Sequence, residues 1–324
     1  GLPKKVLFCK NCVISNQRPS STIEFKNTIK LKKETIDFDE DNRYLCPYFV
    51  GRYFRDITNG DSPQWLQDKL FAIGLRPISS LVDITNLLTF AYGRPLHVFD
   101  ADKLDGDIFV RLSHPDEKFF ALDGREYDLD DSMIVISDKK KAEGLAGVMG
   151  GQRSGCSKTT TNVFLEAAYF DPVRTAMTGR KLNLQSDARF RFERGIDPAF
   201  QLPGAELASK LILQICGGEA SEMVIAGKIP DVSRKYFLRE NRIKQLGGVN
   251  IPPEEIERIL TLLGFKLNNK VGGWDCSVPS WRHDIVDEAD LVEEVLRING
   301  FDNITNKKWV TNKRIEPPSK VKLL

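Results

Sequence analysis

The chain has 324 residues, of which 41% are hydrophobic and 28% are charged, and its formal net charge is +2. These values are typical of a folded globular chain of about two domains, and they exclude a disordered or fibrous protein. Because the net charge is so small, bulk electrostatics would not hold a polyanion, and any nucleic-acid contact requires a local basic surface.

The compartment is predicted from what the sequence lacks. No apolar run approaches the roughly 18 residues that span a bilayer, and no signal-like segment opens the chain, so we expect a soluble, cytoplasmic protein with reduced thiols. Residues 1–47 are polar and are interpreted as a connecting region or the remnant of a preceding domain. Cys9 and Cys12 in this region have CxxC spacing. With no second pair nearby, they are interpreted as incidental thiols.

A first folded domain is predicted over residues 48–225, where helical and strand-like patterns are mixed. The segment Ser62–Gly74 places its apolar residues on one helical face and ends at a glycine. Short β-favouring segments follow at Ile108–Leu112, at residues 118–122 and at Met133–Ser137. A long helix is then predicted from Asp197–Pro198 to Gly217. The result is an α+β domain.

Residues 189–194, RFRFER, alternate basic and aromatic side chains. This alternation predicts a strand with arginines on one side and phenylalanines on the other. The arginines could then meet phosphate or pair with internal acids, and we favour the internal pairing.

A second, smaller domain is predicted over residues 226–304. One helix follows Pro252–Pro253 and stops at Gly264, strand-like residues follow in Gly273–Trp281, and another helix spans Asp287–Asn299. This order predicts a helix/hairpin/helix module. Residues 305–324 are basic, contain prolines and are interpreted as a linker.

Polar side chains are set among apolar runs in RPISSLVDITNLLTFAYGRPLHVFD (Arg76–Asp100) and FLEAA (Phe164–Ala168). His97 follows a turn, and a neutral imidazole there could orient or deprotonate water, although a histidine after a turn is more often structural. Glu166 lies among apolar residues, where an ionised carboxylate needs a partner, such as a buried arginine. The nearby GLAGVMGG (Gly144–Gly151) matches neither common nucleotide-binding glycine pattern.

The helix predicted from Asp287 carries three acids at helical spacing, Asp290, Glu293 and Glu294. Together with Asp284 they could offer oxygen ligands to a hard cation, although most acidic helix faces are simply hydrated.

These blocks and SDARFRFERGIDP (Ser186–Pro198) resemble the editing domain in the β subunit of bacterial-type phenylalanyl-tRNA synthetase, and Ser280–Ile304 resembles the domain that follows it. The resemblance covers roughly residues 45–304. It implies that Thr85, His97 and Glu166 line a pocket that hydrolyses tyrosine mistakenly attached to the phenylalanine tRNA. Glu166 would accept the phenolic hydroxyl that phenylalanine lacks. Small residues would leave room for the aromatic ring, namely Gly144, Ala146 and Gly147.

The resemblance also implies a cofactor and partners. The motif DIxxxxDLxEE matches magnesium ligands of the family near the contact with the catalytic α subunit, at Asp284, Asp290, Glu293 and Glu294. The parent assembly would be an (αβ)₂ phenylalanine–tRNA ligase that uses ATP on its α subunit, with tRNA(Phe) as partner and tyrosine or phenylalanine in the editing pocket. Arg94 departs from the common glutamine. The alternative is a non-catalytic tRNA- or protein-binding module with an idle aromatic-ligand pocket.

Overall fold

The computed structural model describes residues 29–31 and 45–304, so Cys9 and Cys12 lie outside the described residues. The chain divides into two compact units between Val232 and Ser233. Within the described ranges, no helix is both long enough and apolar enough to cross a bilayer.

The first unit combines short strands with five helices in its described part. In chain order the elements are β1 (Ile29–Leu31), β2 (Tyr48–Arg55), α1 (Gln64–Ala72), α2 (Ser80–Tyr92), β3 (His97–Asp100), β4 (Ile108–Leu112), β5 (Lys118–Phe120), β6 (Glu126–Asp128), β7 (Ile134–Ser137), β8 (Ala142–Leu145), β9 (Met149–Gly150), β10 (Val163–Tyr169), α3 (Pro172–Lys181), α4 (Asp187–Phe192), α5 (Gln201–Cys216), β11 (Glu219–Ala220) and β12 (Val224–Gly227). The predicted boundary at residues 225 and 226 therefore falls inside β12.

Two five-stranded sheets organise this unit. One has the order β1-β4-β7-β8-β9, in which β1 and β4 are parallel and the other neighbours antiparallel. The other has the order β11-β2-β10-β3, with β12 also pairing with β2, and it is antiparallel throughout. The predicted α+β fold with a mixed sheet is confirmed.

Strand β10 separates two hydrophobic cores because its side chains alternate between faces. Val163, Leu165 and Ala167 pack with apolar residues of α1, α2 and α5 on one face. Phe164 and Ala168 pack on the other face with residues of the mixed sheet. Glu166 lies on that second face, so the fold places its carboxylate between two sheets.

The strand predicted for residues 189–194 is wrong, because these residues belong to α4 and the turn after it. The Ser186 hydroxyl accepts a hydrogen bond from the Arg189 N–H at 3.0 Å and caps the helix. Arg189 pairs with Glu193 at 3.0 Å and Arg191 with Asp187 at 3.4 Å, contacts at i,i+4 spacing that a strand could not bring together. The arginines therefore pair with internal acids.

The elements of the second unit are β13 (Lys235–Arg239), α6 (Arg242–Gly247), α7 (Pro253–Leu262), β14 (Lys266–Lys270), β15 (Gly273–Ser277) and α8 (Glu288–Asn299). This unit packs a three-stranded antiparallel sheet, of order β13-β15-β14, against helices. Its core contains Leu238, Ile259, Trp274 and Leu291. The two predicted helices correspond to α7 and α8. The predicted strand-like segment Gly273–Trp281 contains only β15, and its hairpin partner β14 precedes that segment. The sequence did not predict β13 or α6.

Candidate functional site

Strand pairing brings His97 and Glu166 together. In the antiparallel pair β3–β10, His97 lies directly opposite Glu166, and on the other side of β10 Glu166 lies opposite Gly51. Directly opposite residues in an antiparallel pair project from the same face, about 5 Å apart at their Cβ atoms. His97 and Glu166 are 69 positions apart in the sequence, and the strand register makes their side chains neighbours.

Both side chains line a cavity of about 310 Å³, a volume at the lower end of the range for small-molecule sites. Three larger depressions of about 490 to 610 Å³ occur on the described surface, one of which borders this cavity at Ser186 and Asp187, and none of those three is lined by a histidine. The cavity walls come from α2, β3, β10, the β8–β9 segment and α4. They include Thr85, Asn86, Leu96, His97, Gly144, Gly147, Met149, Gly150, Glu166 and Phe192.

His97 is held as a neutral imidazole. Its Nε2 is buried with no hydrogen-bond partner among the described residues, and its ring meets the edge of Phe99 with centroids 4.4 Å apart. Burial lowers the pKa of His97 from 6.5 to about 4. A base so weak is poorly matched to proton abstraction near pH 7, whereas its free lone pair can accept a hydrogen bond from water. Of the two predicted roles, orienting water fits this environment better.

Glu166 is 5% exposed, and its Oε2 is buried without a hydrogen-bond partner in the described part of the chain. Burial raises the pKa of Glu166 to about 8, although the positive charge of Arg94 acts in the opposite direction. The carboxylate and Arg94 form no direct ion pair, so the close arginine partner considered from sequence is not seen. The group in this cavity that titrates near neutral pH is therefore Glu166.

Thr85 enters the cavity from α2. Its hydroxyl donates to the Val82 carbonyl oxygen at 2.8 Å, within its own helix, which leaves the Thr85 oxygen free to act only as an acceptor. The next residue, Asn86, also lines the cavity and was not predicted. The only sequence signal for Asn86 was its position beside Thr85.

Glycines within residues 144–151 form a wall of the cavity, and two of them approach its other side chains too closely for a larger residue. A Cβ on Gly150 would lie 2.3 Å from Cε1 of His97, and a Cβ on Gly147 would lie 3.0 Å from the Phe192 ring. Gly144 and Gly147 line the cavity as predicted residues, but Ala146 does not, because it packs into the core between the sheets. Among the described residues, no partner is found for the N–H of Gly147, whereas those of Ala146 and Val148 donate to backbone carbonyls.

Three of the four predicted magnesium ligands, Asp284, Asp290 and Glu294, are engaged by other groups in the second unit. Arg282 donates to Asp284 at 2.6 Å and to Glu294 at 2.7 Å, and Glu294 also accepts from Arg297 at 2.8 Å. Asp290 forms the capping box of α8. Among the described residues, no group of three metal-ligating side chains converges. A guanidinium between two of the carboxylates does not fit a cation in this arrangement, so magnesium binding stays a prediction.

Comparison with known proteins gives two family matches. The B3/4 domain matches residues 45–217, and the tRNA synthetase B5 domain matches residues 236–301.

Relatives of known name are similar over most of this chain. The phenylalanine–tRNA ligase beta subunit of Paramagnetospirillum magneticum is 55% identical over 280 residues, which are 86% of this chain and 35% of that protein. The beta subunit of Ruegeria pomeroyi is 53% identical over 272 residues, 84% of this chain and 34% of that protein. The chain thus spans about a third of the length of the curated relatives it matches. The predicted resemblance is confirmed.

Proposed function

Since the chain belongs to the B3/4 domain family and carries a tRNA synthetase B5 domain behind it, we propose that its cavity hydrolyses tyrosine mischarged on tRNA(Phe), as the editing part of a phenylalanine–tRNA ligase β subunit. One observation carries the proposal. His97 and Glu166 occupy opposed positions on neighbouring strands, and both face one cavity that glycines keep open.

Selection of tyrosine follows from the unpartnered oxygen of Glu166. A phenol placed against this carboxyl group would supply the missing hydrogen bond, whereas phenylalanine would leave the buried Oε2 without one. When Glu166 is ionised, this is a hydrogen bond to a charged group, and such bonds contribute about 1.5–3 kcal/mol, which corresponds to a preference of roughly 10- to 150-fold. An aminoacylation site built for phenylalanine rejects a substrate with an added hydroxyl only by about 10²-fold. A second, hydrolytic site with its own selectivity therefore increases the overall accuracy.

Hydrolysis of the aminoacyl ester requires an oriented water and support for the negative charge that develops on the carbonyl oxygen. Neutral His97 would accept a hydrogen bond from the water at Nε2. The free N–H of Gly147 is a suitable donor to the developing oxyanion. Water attacks the ester carbon, the bond to the ribose oxygen breaks, that oxygen takes up a proton from the attacking water, and tyrosine and free tRNA leave. The Thr85 oxygen would accept a hydrogen bond from a substrate donor.

The test measures deacylation of tyrosyl-tRNA(Phe) by the full-length β subunit assembled with its α subunit. We expect His97→Ala to slow deacylation by about 10², the size of effect that follows when a reacting group loses its orientation. His114 is exposed and outside the cavity, so His114→Ala is the matched control and should behave as the unaltered enzyme. Equal rates for both variants would remove His97 from the mechanism. No deacylation by the unaltered enzyme would favour a non-catalytic binding module.

The remaining parts of the proposal concern the whole assembly. We propose an (αβ)₂ ligase in which the α subunit binds ATP and attaches phenylalanine, while the β subunit contributes editing and tRNA contact. Magnesium at Asp284, Asp290, Glu293 and Glu294 would require Arg282 to leave Glu294, and no step of the proposed hydrolysis uses the ion. Titration of the assembled enzyme with Mg²⁺, with Arg282→Met as the compared variant, tests whether the arginine competes with the cation.

A further inference from the structure

Arg94 is a buried arginine whose hydrogen-bonding groups are only partly satisfied. It is 1% exposed, and its Nη2 donates to the Ala168 carbonyl oxygen of β10 at 2.7 Å. Its Nε and Nη1 are buried with no hydrogen-bond partner among the described residues. The guanidinium lies 5.9 Å from the centre of the Phe192 ring, and Gly204 of α5 accommodates its stem, since a Cβ there would lie 3.0 Å from Cγ.

A guanidinium keeps its proton in proteins, so burying it requires compensation by negative charge. Two carboxyl groups act on Arg94, and Glu166 has the larger effect, followed by Asp197. Asp197 is only partly buried and already accepts a hydrogen bond from the Ala199 N–H at 2.9 Å. Glu166 is therefore the buried carboxyl group that can balance the charge of Arg94 once it ionises.

The other titratable groups around Glu166 do not compensate the charge of Arg94 or that of ionised Glu166. His97, opposite it on β3, is neutral above about pH 4. Cys46 keeps a protonated thiol, because burial and then the charge of Glu166 raise its pKa. Arg94 is bound to the carbonyl of Ala168, two residues from Glu166 along β10, and both Arg94 and Glu166 keep buried polar atoms without a hydrogen-bond partner among the described residues.

We propose that Arg94 is a positioning residue that acts through Glu166, favouring the ionised carboxylate as the acceptor of a hydroxyl from the substrate. This inference rests on the proposed editing function. It predicts that the preference of the cavity for phenolic over unsubstituted aromatic esters depends on pH. Below the pH at which Glu166 ionises, the protonated carboxyl group loses its charge-assisted hydrogen bond, and the preference for tyrosine falls.

Arg94→Gln is the informative variant, because it removes the positive charge and keeps a polar side chain that can still donate a hydrogen bond. A neighbouring positive charge typically lowers a carboxyl pKa by about 1–3. Removing it should therefore move the pH midpoint of tyrosine preference upward by about one pH unit or more. Arg94→Lys keeps the charge and should retain most of the original midpoint.

The first experiment uses the assembled enzyme and compares deacylation of tyrosyl- and phenylalanyl-tRNA(Phe) between pH 6 and 9.5. The expected result is a midpoint displaced in Arg94→Gln and restored in Arg94→Lys, a pattern that a merely structural role would not produce. Superimposable pH profiles for the unaltered enzyme and Arg94→Gln would overturn the proposal.

A second experiment needs no substrate and separates this inference from the proposed function. The carboxyl carbon of Glu166 is followed by ¹³C NMR in the chain, with its signal identified by loss in Glu166→Gln. If the unaltered enzyme does not deacylate tyrosyl-tRNA, the editing function fails, and the titration still shows whether Arg94 lowers the Glu166 pKa. An unchanged titration in Arg94→Gln would refute the coupling.

A double-mutant cycle covers the case in which Arg94→Gln folds poorly. Glu166→Gln leaves the arginine without its countercharge and should lower thermal stability, and the pair Arg94→Gln with Glu166→Gln should recover part of that loss. Strictly additive losses would contradict the proposed pairing.

Discussion

Gly150 fixes the position of His97, and substitution to alanine should displace the imidazole. The ideal Cβ would lie 2.3 Å from Cε1 and 2.7 Å from Nε2 of His97, whereas ordinary contacts begin near 3.4 Å. The ring must therefore move by about 1 Å or more, or rotate out of the cavity wall. Gly150 does not have a positive φ, so its backbone accepts alanine, and the tightest contacts are those with His97, followed by Leu122 Cδ1 at 3.0 Å.

The expected result is a histidine that titrates closer to its ordinary value. Burial holds the pKa of His97 near 4 against 6.5, a difference that corresponds to about 3 kcal/mol of differential interaction between the two protonation states. As pH falls from 6.5 to 4, the unfolded chain binds the proton first, so His97 makes the unaltered protein less stable in this window. If Gly150→Ala exposes the ring, the loss of stability between pH 6.5 and 4 should be smaller.

The assay is NMR titration of the His97 Cε1–H resonance, identified by its loss in His97→Gln; the full chain has three histidines. Gly144→Ala is the matched control, since its Cβ would be 3.7 Å from the nearest atom, an ordinary contact. His97 should titrate near 4 in the unaltered chain and in Gly144→Ala, and distinctly higher in Gly150→Ala. A folded Gly150→Ala protein whose His97 still titrates near 4 would refute the reasoning.

Two further outcomes concern stability. Asp287 caps α8 by accepting hydrogen bonds from two backbone N–H groups of the first turn, so Asp287→Ala should lower the free energy of unfolding by about 1 kcal/mol in urea titrations, whereas the exposed Asp302→Ala should not. Glu117 accepts two hydrogen bonds from Arg111, at 2.7 and 2.8 Å. Burial raises the pKa of Glu117, but these and other hydrogen bonds outweigh burial and hold the pKa below 4.5. Glu117→Gln should therefore cost about 1–3 kcal/mol at pH 7, and the difference should decline as pH falls below 4.5, while exposed Glu126→Gln stays within about 0.5 kcal/mol.

Local patterns predicted the elements that are set by local rules. The helix that ends at Gly74, the strand Ile108–Leu112 and the helix capped by Asp287 all occur where periodicity and terminal residues indicated them. The segment at residues 189–194 was misassigned because alternation of arginine and phenylalanine satisfies a period of two. The cap at Ser186 and the pairs four residues apart were the competing signal, and they prevailed.

The site residues were named from motif resemblance, whereas their environment required coordinates. No sequence rule gives the register that sets His97 opposite Glu166, because strand pairing between distant segments depends on the packing of both sheets. The same limit applies to Ala146, which shares a motif with cavity glycines but points into the core. The same limit applies to the acidic residues of the second unit. Their spacing suggested cation ligands, but Asp284 and Glu294 form ion pairs with Arg282, which the spacing does not reveal.

One physical cause separates the two titratable side chains of the cavity. Burial penalises the charged form of each, so it lowers the pKa of the imidazole to about 4 and raises that of the carboxyl group to about 8. Between these values His97 is neutral and Glu166 is the group whose charge changes with pH. Any pH dependence of tyrosine selection near neutrality should therefore follow Glu166 and its countercharge Arg94. A histidine-like midpoint near 6.5 would instead mean that the imidazole is exposed in the working enzyme.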